Sequence, residues 1–120
     1  MKPGIAAEVH AHGGTLAGSI ITLEAGERFA AARDLVESGA GIHADVFGVG
    51  YALMEGASGE LLMRIAREWP RQLDVHVMAD DAQSVIEGFA LSRRVQRITV
   101  HARPGDDLGA LRLLVGSLAD

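Results

Sequence analysis

Leu73-Asp74-Val75-His76-Val77-Met78 is a short β-rich run, and the chain around it decides the fold. Before it, Leu61, Leu62, Ile65 and Trp69 fall at helical spacing, led by Ser58 as a good N-cap and stopped by Pro70, which cannot donate the next helical hydrogen bond. After it, Asp80 followed by Gln83 has the form of a capping box, and Val85, Ile86 and Phe89 make the next apolar stripe. The same alternation extends in both directions. Leu16 to Thr22, Gly41 to Phe47 and Gln96 to Ala102 are further β-rich runs. Phe29, Ala32, Leu35 and Val36 define a helix over about Glu27 to Ser38, ended by Gly39, and Leu108, Leu111, Leu114 and Val115 another from about Asp107 to Leu118. The order βαβαβαβα implies an α/β fold with a parallel sheet of about four βα units and right-handed crossovers. Two architectures fit this pattern: a small doubly wound sheet, or half of an eight-stranded barrel whose whole form needs about 250 residues. Periodicity does not choose between them.

Composition narrows the function classes. The 120 residues suffice for one domain, expected over 1–120, and 48% hydrophobic with 22% charged is an ordinary globular mix. No apolar run approaches the roughly 20 residues of a membrane helix, and the opening Met1-Lys2-Pro3-Gly4 leads into no apolar run like that of a signal peptide, so a cytoplasmic chain without a membrane partner is expected. Cysteine is absent, which removes disulfides, thiolate metal sites and cysteine nucleophiles. The only lysine is Lys2, which disfavours Schiff-base chemistry. A net charge of −5 disfavours nucleic acid as a partner, and the one arginine cluster, Arg93-Arg94 with Arg97, reads as a solvated helix end.

Three of the five histidines occupy matching places. His43, His76 and His101 each lie in or at the end of a β-rich run, at intervals of 33 and 25 residues, about one βα unit each. The C-terminal strand ends of parallel α/β folds carry their active sites, so these histidines are expected to converge. His43 and Asp45 are two apart on one strand and point the same way. With His76 they offer two imidazoles and a carboxylate, a donor set that suits Zn²⁺, Mn²⁺ or Fe²⁺. Ser19 can face the same pocket, but no Gly-x-Ser-x-Gly elbow surrounds it, so a serine hydrolase is not supported. His10 and His12 read as part of a mobile or edge-lying N-terminal segment rather than a metal site. Gly48-Val49-Gly50 lacks a full dinucleotide-binding motif, and Gly13-Gly14 and Pro104-Gly105 read as turns.

Four of these segments resemble, in order, the motifs of ribulose-phosphate 3-epimerases. Ser19-Ile20-Ile21 is similar to that family's Ser-Ile-Leu, and His43-Ala44-Asp45-Val46-Phe47 to its His-x-Asp-Val-Met. Leu73 to Met78 is similar to Leu-Asp-Val-His-Leu-Met, Ile98-Thr99-Val100-His101 to Ile-Thr-x-His, and Tyr51 falls where the family's loop carries an aromatic residue. The resemblance runs from about Ser19 to His101. It implies half of a TIM-type (β/α)₈ barrel and an isomerase that interconverts D-ribulose 5-phosphate and D-xylulose 5-phosphate by metal-assisted proton transfer at C3. It further implies one divalent ion (Zn, Mn, Fe or Co) held by His43, Asp45 and His76, with Asp45 also the acid–base carboxylate. Ser19, His76 and Met78 would then contact the sugar phosphate.

The departures concern the loops and the length. Gly48 stands in place of the family's aspartate, Ala52-Leu53-Met54 in place of Val-Pro-Asn, and Arg103 in place of a glutamate. The family's strands five to eight, with a further metal ligand, a second catalytic aspartate and the phosphate loops, have no counterpart. A lone half-barrel is expected to expose two sheet edges and the apolar inner face of its strands, which implies a homo-oligomer or a truncated gene product. Two other readings are a non-catalytic remnant serving as a binding or assembly module, and an epimerase, isomerase or lyase for another sugar phosphate.

Overall fold

A computed structural model describes residues 3–48, 56–89, 92–101 and 105–118. Helix α1 (Pro3–Ala11) leads into β1 (Ala17–Ser19), and α2 (Arg28–Glu37) into β2 (Gly41–Phe47). Then follow α3 (Gly59–Glu68), β3 (Leu73–Met78), α4 (Ala82–Phe89), β4 (Arg97–Val100) and α5 (Leu108–Ser117). Short 3₁₀ turns at Ala25–Glu27 and Pro70–Gln72 precede α2 and β3.

All four strands are parallel and stand in chain order, β1-β2-β3-β4. A doubly wound sheet reverses its strand order at a switch point and carries helices on both faces. Among the described residues there is no reversal, and burial alternates strictly along β2 and β3. Ile42, Ala44 and Val46 of β2, with Leu73, Val75 and Val77 of β3, are at most 1% exposed. Against them pack Ala32 of α2, Leu62 and Ile65 of α3, Ile86 of α4, and the partly buried Leu111 and Leu114 of α5. The helices therefore cover one face and leave the other open. Together with the sequential order, this resolves the two architectures in favour of an α/β half-barrel arrangement.

Helix ends fall where their chemistry dictates. Ser58 Oγ accepts from Leu61 N at 3.2 Å to start α3, and the Asp107 carboxylate accepts from Ala110 N at 2.9 Å to start α5. Gly39, at φ 86°, closes α2 through paired bonds, Gly39 N to Val36 O and Ala40 N to Leu35 O, a turn that needs a left-handed residue. The α4 cap differs from expectation by one residue. Asp81, not Asp80, accepts from Ser84 N, at 3.1 Å, and Ser84 Oγ closes the pair at 2.6 Å, while Gln83 turns outward to Glu87.

Three further expectations are corrected. The N-terminal segment is a helix, α1, with Ala6 only 1% exposed. Gly13 at φ 80° ends it, with Gly13 N bonding to His10 O and Gly14 N to Val9 O. Its start is a proline, which suits the first helical turn. Strands β1 and β4 are shorter than their β-rich runs, although Ile20 N still reaches His43 O at 3.3 Å. The open face of the sheet is polar, not apolar. Barrel interiors are filled with branched apolar side chains. Here the inward positions carry Ser19, His43, Asp45, Asp74, His76 and Thr99, with apolar Phe47 and Met78 at the C-terminal end of the sheet. Arg93, read as part of a solvated helix end, reaches across from the turn before β4 to the Gly116 carbonyl in the last turn of α5, at 3.3 Å. No helix among the described residues is long and apolar enough to cross a membrane.

Candidate metal centre

The site grows out of the pairing of β2 with β3. In this register His43 stands beside Asp74 and Asp45 beside His76. Along each strand the members of a pair are two apart and share a face. The result is a square in which imidazole and carboxylate alternate in both directions. Three of its sides are closed by contacts: His43 Nε2 to Asp45 Oδ1 at 3.1 Å, His76 Nδ1 to Asp45 Oδ1 at 3.1 Å, and His43 Nδ1 to Asp74 Oδ2 at 3.2 Å. The side chains are mostly shielded, from 13% exposure at Asp45 to 28% at His43.

The neighbouring strands extend the square. Ser19, paired with His43 from β1, donates to Asp45 Oδ2 at 3.5 Å, and Ile21 N donates to Ser19 Oγ at 3.4 Å. On the other side His101, one residue beyond β4, places Nε2 2.8 Å from His76 Nε2, with the two rings 5.0 Å apart. Met78 follows His76 by two residues and pairs with Phe47 at the C-terminal end of the sheet, half-buried. The expected convergence of Ser19, His43, Asp45, His76 and His101 is therefore met. His10 and His12 lie elsewhere. His10 lines a cavity with Thr15, Gly41, Gln72 and Gln96 at the opposite ends of the strands, and His12 Nδ1 lies 2.9 Å from Glu8 O.

Electrostatics in the square favour a charged imidazole at His43. Burial works against its protonation, but the hydrogen bond to Asp74 and the charge and hydrogen bond of Asp45 outweigh that and raise its pKa above the usual 6.5.

His43, Asp45 and His76 each offer one ligand atom, all within 4.8 Å of one another. The two 3.1 Å nitrogen–oxygen separations match the edges of a coordination shell with bonds of about 2.0–2.2 Å. Asp74 behind His43 supplies the carboxylate that commonly orients a ligating imidazole. Two imidazoles and a carboxylate suit a first-row divalent ion, so the group can in principle hold one.

Two residues of this region lie outside the candidate site residues drawn from the sequence. Arg28, at the start of α2, is only 8% exposed. It donates from Nε to Leu23 O, from one terminal nitrogen to Gly56 O and from the other to Ile21 O, each at 3.0 Å. It thereby ties the loop after β1 to the segment entering α3, both at the site end of the sheet. Asp74 is the other, and its signal lies in its spacing from His76, which repeats that of His43 from Asp45. The Gly48-Val49-Gly50 loop beyond Gly48, Tyr51, Ala52 to Met54, Ala102, Arg103 and Pro104 lie outside the described residues. The chain matches no protein-family model, no curated protein and no solved structure.

Proposed function

We propose that this chain carries the metal-assisted proton-abstraction half-site of a ribulose-phosphate 3-epimerase-like isomerase, acting at C3 of a ketopentose phosphate. The observation that carries the reading is Asp45, whose Oδ1 sits between two imidazoles while its Oδ2 faces Ser19 on the open side of the sheet. His43, Asp45 and His76 would hold one Zn²⁺, Mn²⁺, Fe²⁺ or Co²⁺. The ion, when bound, supplies Lewis-acid stabilisation of the negative charge that develops on the substrate carbonyl oxygen.

Asp45 takes the C3 proton, and the electrons of the C3–H bond move to the C2 carbonyl to give an ene-diolate. Return of a proton to the same face regenerates substrate, and delivery to the other face gives the epimer. That second delivery needs an acid opposite Asp45. Asp74 does not fill the role, because it sits behind His43 and bonds to it. Ser19 steers the Asp45 carboxylate, and Met78 with Phe47 offers an apolar rim for the sugar carbons. Strands β1 and β4 are sheet edges, which supports a second copy of the chain as the source of the opposite acid. The polar open face favours a site over an inert remnant, since buried or half-buried carboxylates and imidazoles are costly to keep for packing alone.

The test is deuterium incorporation at C3 of D-ribulose 5-phosphate in D₂O, with Zn²⁺ or Mn²⁺ supplied and Asp45→Asn as control. Exchange in the parent and none in the variant is expected. Equal rates in both overturn the reading, and exchange only with a different ketose phosphate moves it to that substrate.

A further inference from the structure

The two imidazoles meet Asp45 through different nitrogens. His43 turns Nε2 to Asp45 and Nδ1 to Asp74, whereas His76 turns Nδ1 to Asp45 and Nε2 to His101. Each ring thus has one nitrogen toward the shared carboxylate and a separate partner on the nitrogen behind it. An imidazole that ligates a cation through one nitrogen keeps its proton on the other, and the partner of that proton decides which nitrogen is which.

The two outer partners are unlike. Asp74 Oδ2 is 3.2 Å from His43 Nδ1, while Oδ1 of the same carboxylate is buried and has no hydrogen-bond partner among the described residues. Leaving a carboxylate oxygen buried and unsatisfied destabilises the fold, so stability alone does not account for an aspartate here. Strand pairing places Asp74 directly beside His43. The opposite tautomer of His43, protonated on Nε2, would turn the Nδ1 lone pair toward the Asp74 carboxylate, an electrostatically unfavourable arrangement. His101 is exposed, and its Nε2 stands 2.8 Å from His76 Nε2; two lone pairs cannot face each other at that distance, so one of the two nitrogens carries a proton.

We infer that Asp74 and His101 are the positioning residues of this centre and hold its two ligating imidazoles in opposite tautomers. His43 keeps its proton on Nδ1, donated to Asp74, and ligates through Nε2. His76 keeps its proton on Nε2, donated to His101, and ligates through Nδ1. The two ligands are therefore unequal. His43, backed by a carboxylate, is the stronger donor, and His76, backed by a second imidazole, the weaker. The inference rests on the metal reading above.

The experiment is Zn²⁺ titration of the full chain by calorimetry, with long-range ¹H–¹⁵N spectra of the histidines before and after loading. The parent should bind one equivalent, with one histidine ligating through Nε2 and another through Nδ1. Asp74→Ala should weaken Zn²⁺ binding about 10–100-fold. Asp74→Asn keeps an acceptor for Nδ1–H, so it should lose less, and His101→Ala should lose less than Asp74→Ala. If the parent binds neither Zn²⁺ nor Mn²⁺, the metal reading and this inference fall together. If it binds but both imidazoles ligate through the same nitrogen, or both Asp74 variants bind as tightly as the parent, the positioning assignment falls and the metal reading stands. The parent spectra decide the tautomers even where Asp74→Ala fails to fold.

Discussion

His43 Nε2 and His76 Nδ1 each lie 3.1 Å from one atom, Asp45 Oδ1, though the rings come from different strands and approach through different nitrogens. The relationship follows from a parallel register that sets Asp45 beside His76, with His43 two residues before Asp45 on its own strand. A single carboxylate oxygen is therefore the hub of the site, and variants around it should act unequally.

Asp45→Asn nearly preserves shape but removes the charge and the base. C3 exchange should fall at least about 100-fold while the far-ultraviolet circular dichroism spectrum stays that of the parent. A variant that exchanges at the parent rate assigns the base elsewhere.

His76→Ala should weaken divalent-ion binding by calorimetry with little change in the thermal midpoint of the metal-free protein, because the ring faces the open side of the sheet and not the core. Unchanged affinity removes His76 from the ligand set.

The raised pKa of His43 makes metal-free stability depend on pH, and the sign follows from linkage. The folded pKa lies above the unfolded value near 6.5, so the folded state holds its proton more tightly. The stabilisation is complete below the unfolded pKa and is lost as pH rises through the folded one. The midpoint of urea unfolding should accordingly fall as pH rises above about 6.5, and His43→Gln should flatten that slope. Metal binding should run the other way and tighten with pH, because a ligating imidazole must first shed its proton. A metal-free midpoint that rises over this range contradicts the assignment.

Arg28→Met leaves the carbonyls of Leu23, Gly56 and Ile21 without the guanidinium that joins them. The expected loss in urea unfolding is about 2–4 kcal/mol, from acceptors stripped of a buried donor. Arg28→Lys should recover little, since an ammonium cannot span three acceptors with a planar fork.

Much of this architecture is legible in the sequence, for reasons visible at single residues. The paired strands β2 and β3 coincide with their β-rich runs because every second residue is fully buried and aliphatic. Ser58, Gly39 and Pro70 mark their helix ends because each acts through local backbone chemistry. Helix α1 escaped because its apolar residues form no stripe; its signals were Pro3 and Gly13 at its two ends. The polarity of the open face was also missed, although it is encoded residue by residue. Seeing it required the register, which sets His43 against Asp74 and Asp45 against His76. Arg28 looks like any helix-face arginine, and only the folding back of the loop after β1 buries it.

The chain-order arrangement of the strands has a consequence for modularity. The square of His43, Asp45, Asp74 and His76 spans only the two inner strands, and neither edge strand belongs to it. Each further βα unit grafted beyond β4, or a β-rich segment laid along β1, would extend the sheet without altering the pairing that builds the square. The ligand set is therefore portable: a hybrid that keeps Gly41 to Met78 intact and exchanges its flanking units should inherit His43, Asp45, Asp74 and His76, while Ser19 and His101 would have to be supplied by the new flanks.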